Sequence, residues 1–275
     1  MSDPRSAIEK ARRIVVKIGS STLARDAGAY GRLASAVRAL SDAGKQVVIV
    51  SSGAIALGTK KLGYRARPKE MARLQAAAAA GQSLLMRAYE ESFAREGLAV
   101  AQVLLTHADL ADRVRGNNAR AALSALLDAR AVPVLNENDS VATAEIRFGD
   151  NDRLAARVAE MVQADQLVLL SDIDGLYTAD PKRDPAAQHI PTVPLLTPEI
   201  EAMGGDPPPG YSSGGMRTKL AAARIATQAG CAMAIAVGAL PNPLAALAAG
   251  GRCTWFLPAT DARTARKRWI AGSLH

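Results

Sequence analysis

Pro133–Ala156 reads PVLNENDSVATAEIRFGDNDRLAA. It opens inside an apolar run, Val132–Leu135, breaks into Asn136-Glu137-Asn138-Asp139, and meets a second polar burst, Gly149-Asp150-Asn151-Asp152. A helical pattern then starts at Leu154. A buried strand that ends in amides and carboxylates and leads to a helix N-terminus is how open α/β sheets build sites at the carboxyl ends of their strands. Helix capping by Asn or Asp accounts for one or two such residues. It does not account for seven in two bursts.

Outward from this stretch the same design recurs. Arg13–Ile18 (RIVVKI) is a β-branched strand with Lys17 near its end, followed by Gly19-Ser20-Ser21. An ammonium beside a glycine turn suits phosphate, and an edge-strand lysine at a turn gives the same sequence. Gln46–Val50 is a second strand that runs into Ser51-Ser52-Gly53-Ala54 and a helix. Those backbone amides would suit a carboxylate, and a Ser-Gly structural turn is the plain alternative. Tyr30–Ala43 reads as a helix stopped by Gly44, and Pro68–Glu96 as a long helix closed by Gly97. Within the latter, Gln75–Gly81 (QAAAAAG) has almost no side-chain bulk, which predicts a close helix–helix contact and suggests a homo-oligomer interface.

Val100–Leu105 is a strand and Asn117–Ala129 a helix. Gln166–Leu170 is a strand ending in Ser171-Asp172, and Tyr177 beyond it suits either a nucleotide base or a turn. Residues 184–209 are rich in proline and predict an irregular excursion or short hairpin. Ser213-Gly214-Gly215-Met216-Arg217-Thr218-Lys219 leads into a helix, a second phosphate-type arrangement that is not a Walker A sequence. Cys231–Val237 and Thr254–Leu257 are the last strands. This alternation predicts an α/β fold, a mostly parallel open sheet covered on both faces.

Composition narrows the chemistry. With 275 residues, 49% hydrophobic and 22% charged, the chain is globular, and no convincing linker precedes about residue 260. No apolar run approaches a membrane span, and the N-terminus lacks the order of a signal peptide. Cys231 and Cys253 have no CxxC spacing and read as reduced thiols of a cytoplasmic protein, with no zinc site. His107 and His189 have no catalytic partner beside them in sequence and read as surface residues. The net charge of +8 is spread over many segments without interleaved aromatics, which favours small anions over nucleic acid. Lys17 and Lys219, each beside a glycine turn, point to phosphoryl transfer, with Asp152 placed to hold the two ammonium groups.

Six ordered motifs, Val16–Ser21, Val50–Ile55, Asn136–Asp139, Gly149–Asp152, Gly175–Pro181 and Gly214–Lys219, resemble the glutamate 5-kinases of the amino acid kinase superfamily. The resemblance runs from about residue 12 to Arg266–Ile270. It implies the αβα sandwich of that superfamily and ATP-dependent phosphorylation of the side-chain carboxylate of L-glutamate, the first step of proline biosynthesis. It implies Lys17, Lys219 and Asp152 as catalytic residues, and Ser52, Gly53, Ala54, Asn136, Asp139 and Asn151 around glutamate. Lys17, Gly19, Ser171, Asp172 and Ser213–Lys219 would line the ATP site, with Mg2+ carried by ATP oxygens and no protein metal site. Feedback inhibition by proline is a further implication.

Ser171 stands where threonine is common, and Arg217 occupies a variable position. Residues 1–260 would be the catalytic domain, and the basic stretch 261–275 the start of a linker to a C-terminal PUA domain that many bacterial members carry. Kinases of aspartate or N-acetylglutamate usually have a double glycine after the first-strand lysine, where this chain has Gly19-Ser20-Ser21. A silent amino-acid sensor would not need both lysines and Asp152, and an RNA-associated protein would want aromatic platforms.

Overall fold

In the computed structural model, residues 5–25, 28–141, 151–205 and 215–259 are described. In chain order they form α1 (Arg5–Lys10), β1 (Arg13–Ile18), α2 (Ser20–Arg25), α3 (Ala29–Asp42), β2 (Gln46–Ser51), α4 (Ala54–Lys61), α5 (Met71–Ala94) and β3 (Val100–Leu105). There follow α6 (His107–Ala111), α7 (Arg113–Asp128), β4 (Val132–Glu137), α8 (Asn151–Met161), β5 (Gln166–Ser171), β6 (Leu176–Tyr177), β7 (His189–Ile190) and β8 (Thr192–Val193). The rest are α9 (Pro198–Ala202), α10 (Met216–Gln228), β9 (Ala232–Val237), α11 (Pro243–Ala248) and β10 (Cys253–Phe256).

Strand β1 sorts its side chains by parity, as a pleated strand must. Ile14, Val16 and Ile18 face one side, where they join Leu33 and Val37 of α3 and Leu85, Tyr89 and Phe93 of α5. Val15 faces the other, against Leu154 and Val158 of α8 and Leu220 and Ala223 of α10. Each such fully buried Val or Leu contributes about 1.5–3 kcal/mol. Lys17 shares the parity of Val15, so the chain directs its ammonium to the α8–α10 side.

The main sheet has the order β3-β4-β2-β1-β5-β9-β10-β8. Its six strands β3, β4, β2, β1, β5 and β9 are parallel. Strand β10 runs antiparallel to β9, with Cys253 opposite Ala236. The expected αβα sandwich with a mostly parallel sheet is thus the observed architecture. Around β1 the order reverses: β2 lies on one flank and β5 on the other, the switch point where such sheets hold ligands.

Several boundaries differ from the sequence reading, two of them at the carboxyl ends of the central strands. Strand β4 continues through Asn136 and Glu137 because its pairing with β3 runs on to Leu105↔Glu137, so both polar side chains are buried strand residues rather than loop. Helix α8 begins at Asn151, not Leu154, which places Asp152 in the first turn, where the helix dipole favours a carboxylate. Ser20-Ser21, read as a turn, open the short helix α2. The irregular excursion contains β7, β8 and α9, and β7 pairs antiparallel with β6.

The small-residue segment of α5 meets α4 of the same chain. Gly58 and Gly81 let the two backbones touch, and a methyl on either would overlap the carbonyl oxygen of Ala77 or Ala54 respectively. Gly81→Ala should therefore cost about 3 kcal/mol in urea unfolding, since helix backbones cannot yield as a flexible side chain does. An unchanged midpoint would show that α4 is free to shift.

Candidate active site

The carboxyl ends of the central parallel strands bring most of the polar residues together. Asp152, 1% exposed, sits between two ammonium groups: Lys17 Nζ is 2.6 Å from Oδ1 and Lys219 Nζ is 3.0 Å from Oδ2. The lysines are 9% and 5% exposed, so all three charges lie out of bulk water. Thr218 Oγ1 lies 3.0 Å from Asp152 Oδ2 and 2.8 Å from the Gly215 carbonyl. Burial alone would raise the Asp152 carboxyl, but Lys17 and Lys219 outweigh it and hold the group down at about 2. Because that value lies below the unfolded one, the stability it contributes is present above about pH 4 and is lost only as the pH falls through 2. Two cations on one anion leave a unit of positive charge over, held where an anion can be received.

A second group sits at the ends of β2 and β4. Asn151 Nδ2 donates among three oxygens: the Ser51 carbonyl at 3.2 Å, Ser52 Oγ at 2.7 Å and Asn136 Oδ1 at 3.1 Å. Gly53 has φ +122°, a conformation that strains any L side chain, and it turns the chain so that α4 starts at Ala54. Its Cα lies beside the Ser20 side chain of α2, so the first turns of α2 and α4 converge there. Asp139, just beyond β4, is half-buried, and burial pushes its carboxyl up to about 6 against the pull of Arg67. A raised carboxyl favours folding below its unfolded value and loses that contribution as the pH rises through 6, so at neutral pH ionised Asp139 lacks a full counter-charge.

On the other flank, Ser171 ends β5 with its hydroxyl 3.1 Å from Asp172 Oδ1, and Asp172 is exposed. Gly215 caps α10 with extended backbone, and a side chain there would meet open space. Gly19 likewise has room for a Cβ, so what both glycines supply is clearance rather than unusual dihedrals. Met216 turns its side chain to the core, and Arg217 is exposed. Ser213 and Gly214 lie outside the described residues, as do Gly149 and Asp150. Tyr177 takes the turn role. Its hydroxyl donates to Asp174 Oδ1 at 2.9 Å, its ring meets His189 edge-on at 5.2 Å, and Arg252 lies over it. His189 is accordingly partly buried rather than a plain surface residue, and that burial lowers its pKa.

Two residues escaped the sequence reading. Tyr89 donates its hydroxyl to Ser51 Oγ at 2.9 Å, in the core beneath the site. Gln82 Oε1 accepts from Asn136 Nδ2 at 3.0 Å. Ala78, Gln82, Leu85 and Tyr89 fall along one face of α5 at helical spacing, so a polar residue on a core-facing stripe was the available signal for Gln82.

Among the described residues no three His, Cys, Asp or Glu side chains gather to hold a metal, and Asp152 has both oxygens engaged. That donor set fits an ion carried by nucleotide oxygens and water. Cys231 and Cys253 are free and buried, and burial raises both thiols, the second to about 11.

Comparison with known proteins adds identity to this geometry. A family model described as the Amino acid kinase family matches residues 12–236. A glutamate 5-kinase of Paracoccus denitrificans is 58% identical over 95% of this chain and 72% of its own length. One of Gluconobacter oxydans is 56% identical over 100% and 75%, and one of Paramagnetospirillum magneticum 56% over 98% and 74%. The crystal structure of UMP kinase from Ureaplasma parvum superposes with a TM-score of 0.59 over 90% of this chain and 99% of that one. At 16% identity that likeness speaks for the fold alone. The chain belongs to the amino acid kinase family and, within it, to the glutamate 5-kinases.

Proposed function

We propose that this chain transfers the γ-phosphoryl group of ATP to the side-chain carboxylate of L-glutamate, giving L-glutamyl 5-phosphate, the first step of proline biosynthesis. The observation that carries this reading is Asp152 of α8 holding Lys17 of β1 and Lys219 of α10, 2.6 and 3.0 Å away. A bond forms between a carboxylate oxygen of glutamate and the γ-phosphorus. The bond from that phosphorus to the bridging oxygen breaks, and ADP leaves with the electron pair. The acceptor is already an anion at neutral pH, so no side chain need remove a proton. What the protein must supply is position and positive charge.

Lys17 and Lys219 neutralise the moving phosphoryl group, and Asp152 keeps their ammonium groups at the spacing it needs. Mg2+, when bound with ATP, supplies further neutralisation of the phosphate oxygens. Ser52, the Gly53–Ala54 backbone, Asn136, Asp139 and Asn151 receive glutamate, with Asp139 against its ammonium. Gly19, Ser171, Asp172 and residues 213–219 line the nucleotide. Residues 1–260 act as the catalytic domain, and 261–275 as a basic tail. We read the protein as cytoplasmic and homo-oligomeric, with proline as a feedback inhibitor. Among the described residues no helix is long and apolar enough to cross a membrane. The face of the small-residue segment that carries Gly81 packs on α4 of the same chain, while Ala76 and Ala79 of that segment are exposed.

Trapping the acyl phosphate with hydroxylamine tests the reaction: glutamate should give hydroxamate, and aspartate and N-acetylglutamate should not. Hydroxamate from either of the others instead would move the chain to a different acceptor. Asp139 makes the assay pH-dependent in a defined sense. Its carboxyl lies at about 6, so glutamate KM should rise roughly tenfold between pH 7.5 and 5, while Asp152 stays ionised throughout. An Asp139→Asn variant should start at a high KM and lose that slope.

A further inference from the structure

The amides around Ser52 form a directional chain whose polarity is fixed at one end. The Ser51 carbonyl can only accept, so the Asn151 atom 3.2 Å from it must be Nδ2. Asn136 must then offer Oδ1 to that same Nδ2 and turn its own Nδ2 away. That Nδ2 meets Gln82 Oε1 at 3.0 Å, which closes the series on α5. The outcome is that Asn151 Oδ1, on a residue 7% exposed, is buried with no hydrogen-bond partner among the described residues. A buried acceptor left so is costly, and a ligand that donates a proton to it recovers that cost.

We propose that Gln82, through Asn136, is a positioning residue that locks Asn151 with its carbonyl oxygen facing the acceptor pocket, and so selects substrates that carry an ammonium group. Were Gln82 to present its amino end, Asn136 would rotate and offer Nδ2 to Asn151. Asn151 would then have to turn its oxygen on the Ser51 carbonyl or leave that carbonyl unpaired. The pocket would face its ligand with a donor, which suits a carboxylate and not an ammonium. This rests on Asn151 belonging to the glutamate pocket, and it adds a residue from a helix that contributes nothing else to that pocket.

The test compares Gln82→Met, of similar length without an acceptor, and Gln82→Glu, which keeps an oxygen toward Asn136. The readouts are glutamate KM, ATP KM, kcat, and the inhibition constant of glutarate, which lacks the amino group. Gln82→Met should raise glutamate KM about tenfold, the worth of one unsatisfied buried amide. Glutarate inhibition, ATP KM and kcat should stay within about twofold of wild type, a split that general damage would not give. Gln82→Glu should keep glutamate KM within about threefold. An unchanged glutamate KM in Gln82→Met, or an equal loss for glutamate and glutarate, overturns the proposal. Asn151→Ala separates the two levels. If it leaves the preference for glutamate over glutarate intact, the pocket reading fails, and if it abolishes the preference while Gln82→Met does not, only the role of Gln82 fails.

Discussion

Asp152→Asn should lower kcat by about three orders of magnitude without weakening nucleotide binding. The substitution keeps the shape and removes one negative charge from between two buried ammonium groups 2.6 and 3.0 Å away. Nucleotide affinity should hold or increase, because a triphosphate then meets two uncompensated cations. The chemical step should collapse, because nothing keeps those cations apart or aims them at the phosphoryl group. Removing one member of a buried charge cluster also costs about 3–5 kcal/mol of folding stability. ATP should therefore raise the melting temperature of Asp152→Asn more than that of wild type. A variant that loses ATP affinity and kcat together would place Asp152 in ground-state binding instead.

The second large effect is that of Lys219→Ala. Lys219 is buried on α10, and its loss leaves Asp152 and Lys17 as a neutral pair with no positive charge over. The γ-phosphoryl group then has one cation where two are needed as charge moves between oxygens. We expect kcat to fall about 10²–10³-fold, with glutamate KM within about threefold, because the residues proposed to receive glutamate come from the β2–α4 turn, the end of β4 and the turn after it, and the start of α8. A steep rise in glutamate KM at near-normal kcat is the result that sinks this assignment.

The sequence disclosed these parts unevenly, for physical reasons. Strand Arg13–Ile18 was legible to the residue, since a strand buried on both faces is a continuous apolar run bounded by polar ends, and the half-buried edge strand Val100–Leu105 was legible as an apolar run broken only by Gln102. Lys17 stood out because it interrupts such a run just before Gly19, and Lys219 because it sits one turn into a helix that follows Gly214-Gly215. The end of β4 was misjudged because Asn136 and Glu137 look like loop residues until β3 is known to pair along them. The partner of the QAAAAAG segment was not legible either. Small residues state that something comes close, and only the fold states that it is α4. Gln82 was hidden for a related reason, since its acceptor oxygen matters only through Asn136, more than fifty residues on.

The placement of β1, with β2 and β4 to one side and β5 and β9 to the other, divides labour along the chain. On the proposed assignment, the residues that receive the amino acid are encoded up to the start of α8, and those that line the nucleotide mostly from the end of β5 onward. Each half can therefore drift toward new partners with little penalty from the other. Lys17, Asp152, Thr218 and Lys219, which touch across the divide, must change in concert or not at all.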